Sequence, residues 1–254
     1  MRVTLAQTSP KLSRSNLEDV IGIINSIKER SDLVVFPELS LSGYLLQDKL
    51  YEDAWSIAEL KELSQLSHEI DIVVGCALKD NNVFRNAALY FSGGKLVSKH
   101  IKVHLPNYGM FEEARYFEGG DMFEAFNVDD KVISMLVCED LWHESVHKEL
   151  IERDPDLIIV LVASPARGFS DDGLKIEEKW YEIIKQVASE CCAQLLFVNR
   201  VGFEDGLGFW GRSKVINPKG QIEVSADYFE EELIEWELNH KLTLMQKYFL
   251  RKDS

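Results

Sequence analysis

Apolar runs too short for helices constrain this chain more than any other feature. Leu33–Phe36, Ile72–Ala77, Val132–Val137, Leu157–Val162 and Gln194–Asn199 each hold consecutive apolar or β-branched residues, the pattern of a buried strand. Between them lie stretches with apolar residues at helical spacing. Asn16–Glu29 carries Leu17, Val20, Ile21, Ile24 and Ile27 in that rhythm, and Ala54–Ile70, His143–Arg153 and Leu174–Cys191 read as further helices. Arg2–Gln7 reads as an opening strand. Two hairpins are expected: Val83–Phe91 with Lys95–His100 across Ser92-Gly93-Gly94, and Gly208–Ile216 with Gln221–Val224 across Asn217–Gly220. Lys102–Gly120 reads as a long irregular stretch. Strands and helices alternate in both halves, which places the chain in the α/β class. With no internal repeat and no linker-like run, residues 1–254 read as a single domain. Its tail, from about residue 229 to 254, is charged and partly helical.

Composition narrows the partners. A net charge of −15 disfavours nucleic acid and anionic membrane surfaces. The longest apolar runs, such as Leu157–Ala163, are too short to span a bilayer. The N-terminus runs straight into a strand pattern with no signal-peptide apolar region, so a cytoplasmic protein is expected. Cys76, Cys138, Cys191 and Cys192 form neither a disulfide framework nor a zinc-ribbon spacing.

Residues just past apolar runs carry the candidate chemistry. Cys138 ends the Val132–Val137 run and is followed by Glu139 and Asp140, acids suited to a helix first turn. A thiol at such a strand-to-helix elbow meets backbone N–H groups and a helix dipole that favour its thiolate; the alternative is an inert buried cysteine. Glu38 follows Pro37 at another strand end, and Lys102 follows the Lys95–His100 strand. A cysteine nucleophile needs a base for its proton and positive charge where the oxyanion develops. Glu38, Lys102 and Cys138 at one rim of a sheet would supply both. Taken singly, Glu38 is as well read as a loop cap and Lys102 as a solvated cation.

Three segments occur in order: Phe36-Pro-Glu38-Leu-Ser-Leu-Ser-Gly-Tyr44, His100-Ile-Lys102-Val-His-Leu-Pro-Asn-Tyr108 and Val137-Cys138-Glu-Asp140. Together they resemble the motifs of the nitrilase, or carbon-nitrogen hydrolase, superfamily. The resemblance extends to the closing Phe209–Ser213 region. It implies an α-β-β-α sandwich of two mixed sheets covered by helices. It also implies a Glu-Lys-Cys triad, with Glu38 as general base, Lys102 as oxyanion stabiliser and Cys138 as nucleophile, and no cofactor. Lys102–Gly120, Cys138–Trp142 and Ala163–Ala166 look like the glutaminase domain of glutamine-dependent NAD synthetase. That narrower likeness implies a second acid at Glu113, holding the lysine or orienting the substrate. It implies Tyr108, Phe111, Glu139 and Ser164 around the bound amide side chain. No ATP-pyrophosphatase segment or phosphate loop occurs in these residues, so NAD synthesis by the chain alone is not expected.

The reading reached is an amidohydrolase acting on a small glutamine-like or ω-amide through a cysteine thioester. Tyr108, Phe111 and Tyr116 are expected as a pocket wall, with Glu112, Glu113 and Arg115 as polar ends. The alternative is a glutaminase subunit that donates ammonia to a partner synthetase. The family resemblance also implies a homodimer or larger, and the apolar residues Leu242, Leu244, Met245, Tyr248, Phe249 and Leu250 of the tail suit such contacts. A competing motif is His143-Glu144-Ser145-Val146-His147, the H-E-x-x-H spacing that puts two histidines on one helix face for zinc. Leu150 and Arg153 stand where a metzincin needs glycine and histidine, and only Glu177 or Glu178 offers a further ligand. Other singled-out residues read as structural: Trp142 as a packing anchor, Cys76, Cys191 and Cys192 as core. His104 reads as a hydrogen-bonded histidine that could tune the pocket.

Overall fold

The computed structural model describes residues 1–170, 173–238 and 241–253. Its centre is two stacked six-stranded sheets. The first runs, in spatial order, Glu232–Glu237, Arg2–Gln7, Leu33–Val35, Asp71–Asp80, Val83–Ser92, Lys95–Ile101. The second runs Ile222–Ser225, Lys214–Ile216, Gln194–Asn199, Leu157–Val162, Lys131–Val137, Ala125–Val128. In each sheet three central strands are parallel and antiparallel strands close both edges.

The apolar runs are continuous because each strand is covered twice. Along Leu157–Val162, Leu157, Ile159 and Leu161 point into the core between the sheets, beside Val35 and Val73 of the first sheet. Ile158, Val160 and Val162 point the other way, onto Trp180, Ile184 and Val187 of helix Lys175–Cys191. The first sheet repeats this: Leu33 and Val35 face inward, while Val34 and Phe36 meet Val20, Ile24 and Ile27 of helix Asn16–Ile27. The order is therefore helix, sheet, sheet, helix, as the resemblance implies. No described helix is long and apolar enough to cross a membrane.

Several expectations need correction. Ala54–Ile70 is not one helix. The Trp55 N–H donates to the Ala77 carbonyl (2.8 Å) and the Lys79 N–H to the Trp55 carbonyl (2.8 Å), which pins that residue to the strand edge. A 3-10 turn, Ile57–Leu60, and the helix Lys61–Leu66 follow. Gly208–Ile216 is not one strand either. Leu207–Trp210 pairs with Val201–Glu204 in a separate ribbon, and Lys214–Ile216 joins the second sheet. The chain turns between them at Gly211 (φ 73°) and Arg212 (φ 56°). A Cβ on Gly211 would stand 2.6 Å from the Gln7 amide, so only glycine fits. The irregular stretch holds a short helical turn, Glu113–Tyr116. Edge strands Ala125–Val128 and Glu232–Glu237 were not anticipated.

The tail contributes that edge strand and then helix Leu244–Asp253. Lys247, almost fully buried, anchors the helix by reaching Asp154 and Asp156 (3.2 Å each), and Arg251 reaches Asp154 (2.6 Å). Leu244, Met245, Tyr248 and Phe249 of the same helix stay exposed.

Ile159 is fully buried between the sheets, so Ile159→Ala leaves a cavity that neighbouring strands cannot collapse into. Urea unfolding should show a loss of about 2–5 kcal/mol. A loss below about 1 kcal/mol would contradict close packing of the two sheets.

Candidate active site

Three parallel strands end at one rim, and the site is built from the residues that follow them. Strand Leu33–Val35 leads through Pro37, which has no N–H for a ladder, to Glu38. The Glu38 carboxylate is fully buried and uses both oxygens. Oε1 accepts from the Lys102 ammonium (2.8 Å) and the Asn86 side-chain amide (2.8 Å); Oε2 accepts from the Ala163 backbone N–H (2.8 Å). Ala163 follows strand Leu157–Val162, so this carboxylate ties the first sheet to the second.

Lys102 is held by its backbone before its ammonium is used. Its N–H donates to the Asn86 carbonyl (2.8 Å), and its carbonyl accepts from Gly120 N–H (2.9 Å). Nζ bonds Glu113 Oε1 (2.8 Å) as well as Glu38. Burial works against the ammonium, but the attraction of Glu113 and Glu38 outweighs it and holds the lysine well above its ordinary range. Glu113 shows the opposite balance. Burial pushes its carboxyl up to about 7, against the pull of Lys102 and with the repulsion of Glu38. Tyr44 donates its hydroxyl to the same Oε1 (2.5 Å), while Glu113 Oε2 is buried with no hydrogen-bond partner.

Cys138 stands at the end of strand Lys131–Val137 with φ 44°, and its surface is only partly covered. The elbow differs from the sequence expectation. A 3-10 turn, Cys138–Trp142, follows, and the α-helix starts only at Glu144, after His143 in extended backbone. No long helix dipole points at the sulfur. Burial and the negative charge of Glu38 push the thiol well above its ordinary value; Lys102 and the Ala163 N–H pull the other way and do not prevail. A resting thiol, not a thiolate, is the consequence, and an adjacent base becomes a requirement.

Asp140, read from sequence only as a first-turn acid, fastens this turn to the lysine loop. Its Oδ2 meets the His100 ring (2.8 Å) and the Val137 N–H (3.1 Å); Oδ1 accepts from the N–H groups of Val103 (3.0 Å) and His104 (2.9 Å). Burial raises its carboxyl, but these donors hold it below the ordinary aspartate range.

A cavity of about 430 Å³ opens over the thiol. Tyr108, Phe111, Glu139 and Ser164 all line it. The Tyr108 hydroxyl donates to the Glu139 carboxylate (3.0 and 2.9 Å), and Ser164 Oγ accepts from the Trp180 indole N–H (3.0 Å). Glu112, Arg115 and Tyr116 do not join them. Glu112 and Tyr116 line a second cavity of about 240 Å³ that shares Tyr44, Phe111 and Glu113 with the first. Arg115 is exposed and pairs with Glu112 (3.5 Å). Three cations that sequence reading passed over stand on the first cavity: Arg167, Lys175 and Lys179. Lysines four apart in a charged helix look like a solvated face, which hid them. Arg167 lies 5.2 Å over the Phe111 ring, and its buried Nε has no hydrogen-bond partner.

The H-E-x-x-H histidines do not share a helix face. His143 lies before the helix and stacks on His104, ring centroids 3.6 Å apart; the His147 Nε2 sits 2.7 Å from the Leu141 carbonyl. Among the described residues no three histidine, cysteine or acidic side chains gather as metal ligands.

Comparison with known proteins gives a consistent result. The family model described as carbon-nitrogen hydrolase matches residues 2–246. A glutamine-dependent NAD(+) synthetase from Acinetobacter baylyi is 30% identical over 238 residues, which is 91% of this chain and 43% of that protein. The chain thus spans less than half the length of the synthetases it matches. The solved glutamine-dependent NAD+ synthetase of Acinetobacter baumannii superposes with a TM-score of 0.83 at 28% identity, over 98% of this chain and 50% of that one. An amidase from Nesterenkonia sp. AN1 shares the fold, with a TM-score of 0.79 at 23% identity over 94% of this chain and 93% of that one.

Asp140→Ala leaves the His100 ring and three backbone N–H groups without their acceptor. Thermal or urea unfolding at neutral pH should show a loss of at least about 3 kcal/mol. Because the folded Asp140 carboxyl lies below its unfolded value, its contribution is present above the ordinary aspartate range and is lost as pH falls through the folded value. The gap between wild type and variant should therefore narrow on acidification; a gap that is constant with pH would show that the carboxylate charge is not what holds the turn.

Proposed function

The chain belongs to the carbon-nitrogen hydrolase family, and from that premise we propose that it hydrolyses the C–N bond of a small carboxamide and releases ammonia. The observation that carries this reading is the buried Glu38–Lys102–Glu113 cluster beside the Cys138 thiol at the floor of a cavity. Glu38 takes the thiol proton as the sulfur attacks the amide carbonyl carbon. The electron pair moves to the oxygen, and the Lys102 ammonium faces that developing charge. As the carbonyl reforms, the C–N bond breaks. The proton held on Glu38 passes to the leaving nitrogen, giving ammonia and a thioester. Water then gives its proton to Glu38 and attacks the thioester. The C–S bond breaks, the acid leaves, and the thiol regains its proton. The unpartnered Glu113 Oε2 suits an amide N–H of the bound substrate. No step calls for a metal or organic cofactor.

The cavity walls support a substrate with charged ends. Arg167, Lys175 and Lys179 suit a carboxylate, and Glu139 suits an ammonium. Glutamine carries both, and the similarity to glutamine-dependent synthetases supports testing it first. Those synthetases are more than twice as long, which favours a second reading: the ammonia passes to a partner synthetase. Ammonia release with and without such a partner separates the two. Pairing of two copies over the exposed Leu244, Met245, Tyr248 and Phe249 face belongs to the same proposal, and a strictly monomeric species in light scattering at micromolar concentration would refute it.

A panel of small amides and ω-amidated acids, assayed for ammonia with and without chelator, tests the function. Folded Cys138→Ala should release none. Glu38→Gln should depress both hydrolysis and alkylation of Cys138. Glu113→Gln should slow hydrolysis by about 10²-fold or more, while Cys138 is still alkylated by a small reagent at a rate shifted by about tenfold at most. Activity retained in Cys138→Ala would sink the mechanism. Ammonia from a nitrile or a carbamoyl amine alone would redirect the substrate class.

A further inference from the structure

We infer that Arg200 and Glu204 are positioning residues that hold Tyr44 where its hydroxyl meets Glu113. The inference rests on the proposed role of the Glu113–Lys102 cluster in amide hydrolysis. Arg200 is fully buried just before the ribbon strand Val201–Glu204. Its Nη1 donates to Glu204 Oε2 (2.7 Å) and its Nη2 to the Pro10 carbonyl (2.7 Å). Glu204 Oε1 is spent elsewhere: it accepts the backbone N–H of Tyr44 (2.8 Å) and that of Leu45. One carboxylate therefore joins the ribbon to the segment that carries Tyr44.

Tyrosine is short of freedom once its backbone is fixed. Two side-chain torsions separate the Tyr44 N–H from its hydroxyl, and its ring is fenced edge-on by Phe111 (centroids 6.5 Å) and Phe209 (6.1 Å). The Arg200 guanidinium lies 4.2 Å over that same Phe209 ring. Arg200 thus acts on Tyr44 by two routes, through Glu204 to its backbone and through Phe209 to its ring. The hydroxyl at the far end shares Glu113 Oε1 with the Lys102 ammonium. A shift there moves the group that holds the lysine. Stability alone is a weak reason for such a pair, since apolar packing of similar volume commonly serves a core as well or better than a buried ion pair. The acceptor geometry toward Tyr44 and Leu45 is what an apolar replacement lacks.

The test is a double-mutant cycle on Tyr44→Phe and Glu204→Ala, read two ways. The first readout is kcat and KM for an amide from which the wild type releases ammonia. The second is the alkylation rate of Cys138 at fixed pH, localised by mass spectrometry, which needs no substrate. Each single variant should lower kcat by about tenfold with KM changed by less than about threefold, and should change the alkylation rate by a matching factor. The double variant should fall no further than Tyr44→Phe, because both changes remove one device. Glu204→Gln keeps an acceptor oxygen and should recover most of what alanine loses. If Glu204→Ala does not fold, Glu204→Asp keeps a carboxylate for Arg200 but shortens its reach toward Tyr44, and the same loss is expected. Multiplicative effects in the double variant, an unchanged alkylation rate in Tyr44→Phe, or wild-type kcat in folded Glu204→Ala or Glu204→Asp would overturn the inference. If the wild type releases ammonia from no amide, the hydrolase reading fails, while the alkylation cycle still decides the positioning.

Discussion

Everything at the rim of the two sheets depends on one buried ammonium shared by two carboxylates. Lys102 sits 2.8 Å from both Glu38 and Glu113, with all three groups withdrawn from water. Unpaired, each ion would cost several kcal/mol to bury. Paired, they still need donors for the remaining lone pairs, and the scaffold supplies three, leaving Glu113 Oε2 without one among the described residues. Asn86 and Ala163 donate to Glu38, Tyr44 donates to Glu113, and Asn86 also accepts the Lys102 backbone. The cluster is therefore a constraint on the fold as much as a site within it. Strand ends from both sheets must arrive together, or a charge is stranded.

The same arrangement bears on the Cys138 thiol, which stands well above its ordinary range. Burial is the larger cause, and the negative charge of Glu38 adds to it while Lys102 opposes it. In the proposed reaction Glu38 takes that proton as the sulfur bonds to carbon. The 3-10 turn after Cys138 fits this, since it brings no helix dipole to ionise the sulfur early. Asp140 holds that turn against the lysine loop, so Cys138 and Lys102 keep their spacing through a carboxylate hydrogen-bonded to neither.

The central strands were legible because burial on both faces writes itself as unbroken apolar residues. Arg2–Gln7, Leu157–Val162 and Gln194–Asn199 fall where sequence placed them. Glu232–Glu237 was hidden because half of this edge strand is charged; Glu235 and Glu237 are exposed while Ile234 is buried. Ala54–Ile70 misled because its apolar spacing is helical, while the Trp55 backbone is claimed by a strand far off in sequence. Glu38, Lys102 and Cys138 were legible as candidates because each follows an apolar run and stands in an ordered motif. Asp140, Asn86, Arg200 and Glu204 carry no such sign. A charged or amide side chain looks solvated until its partner is known, and those partners lie between 3 and 190 residues away.

The backbone at Cys138 also limits what could ever replace it. Its φ of 44° lies in the left-handed region, where a side chain branched at Cβ is an outlier. Threonine is thereby penalised before any question of reactivity arises. Serine and cysteine have an unbranched Cβ and pass that steric filter. The elbow thus admits a sulfur or an oxygen on an unbranched Cβ and turns threonine away on backbone grounds alone.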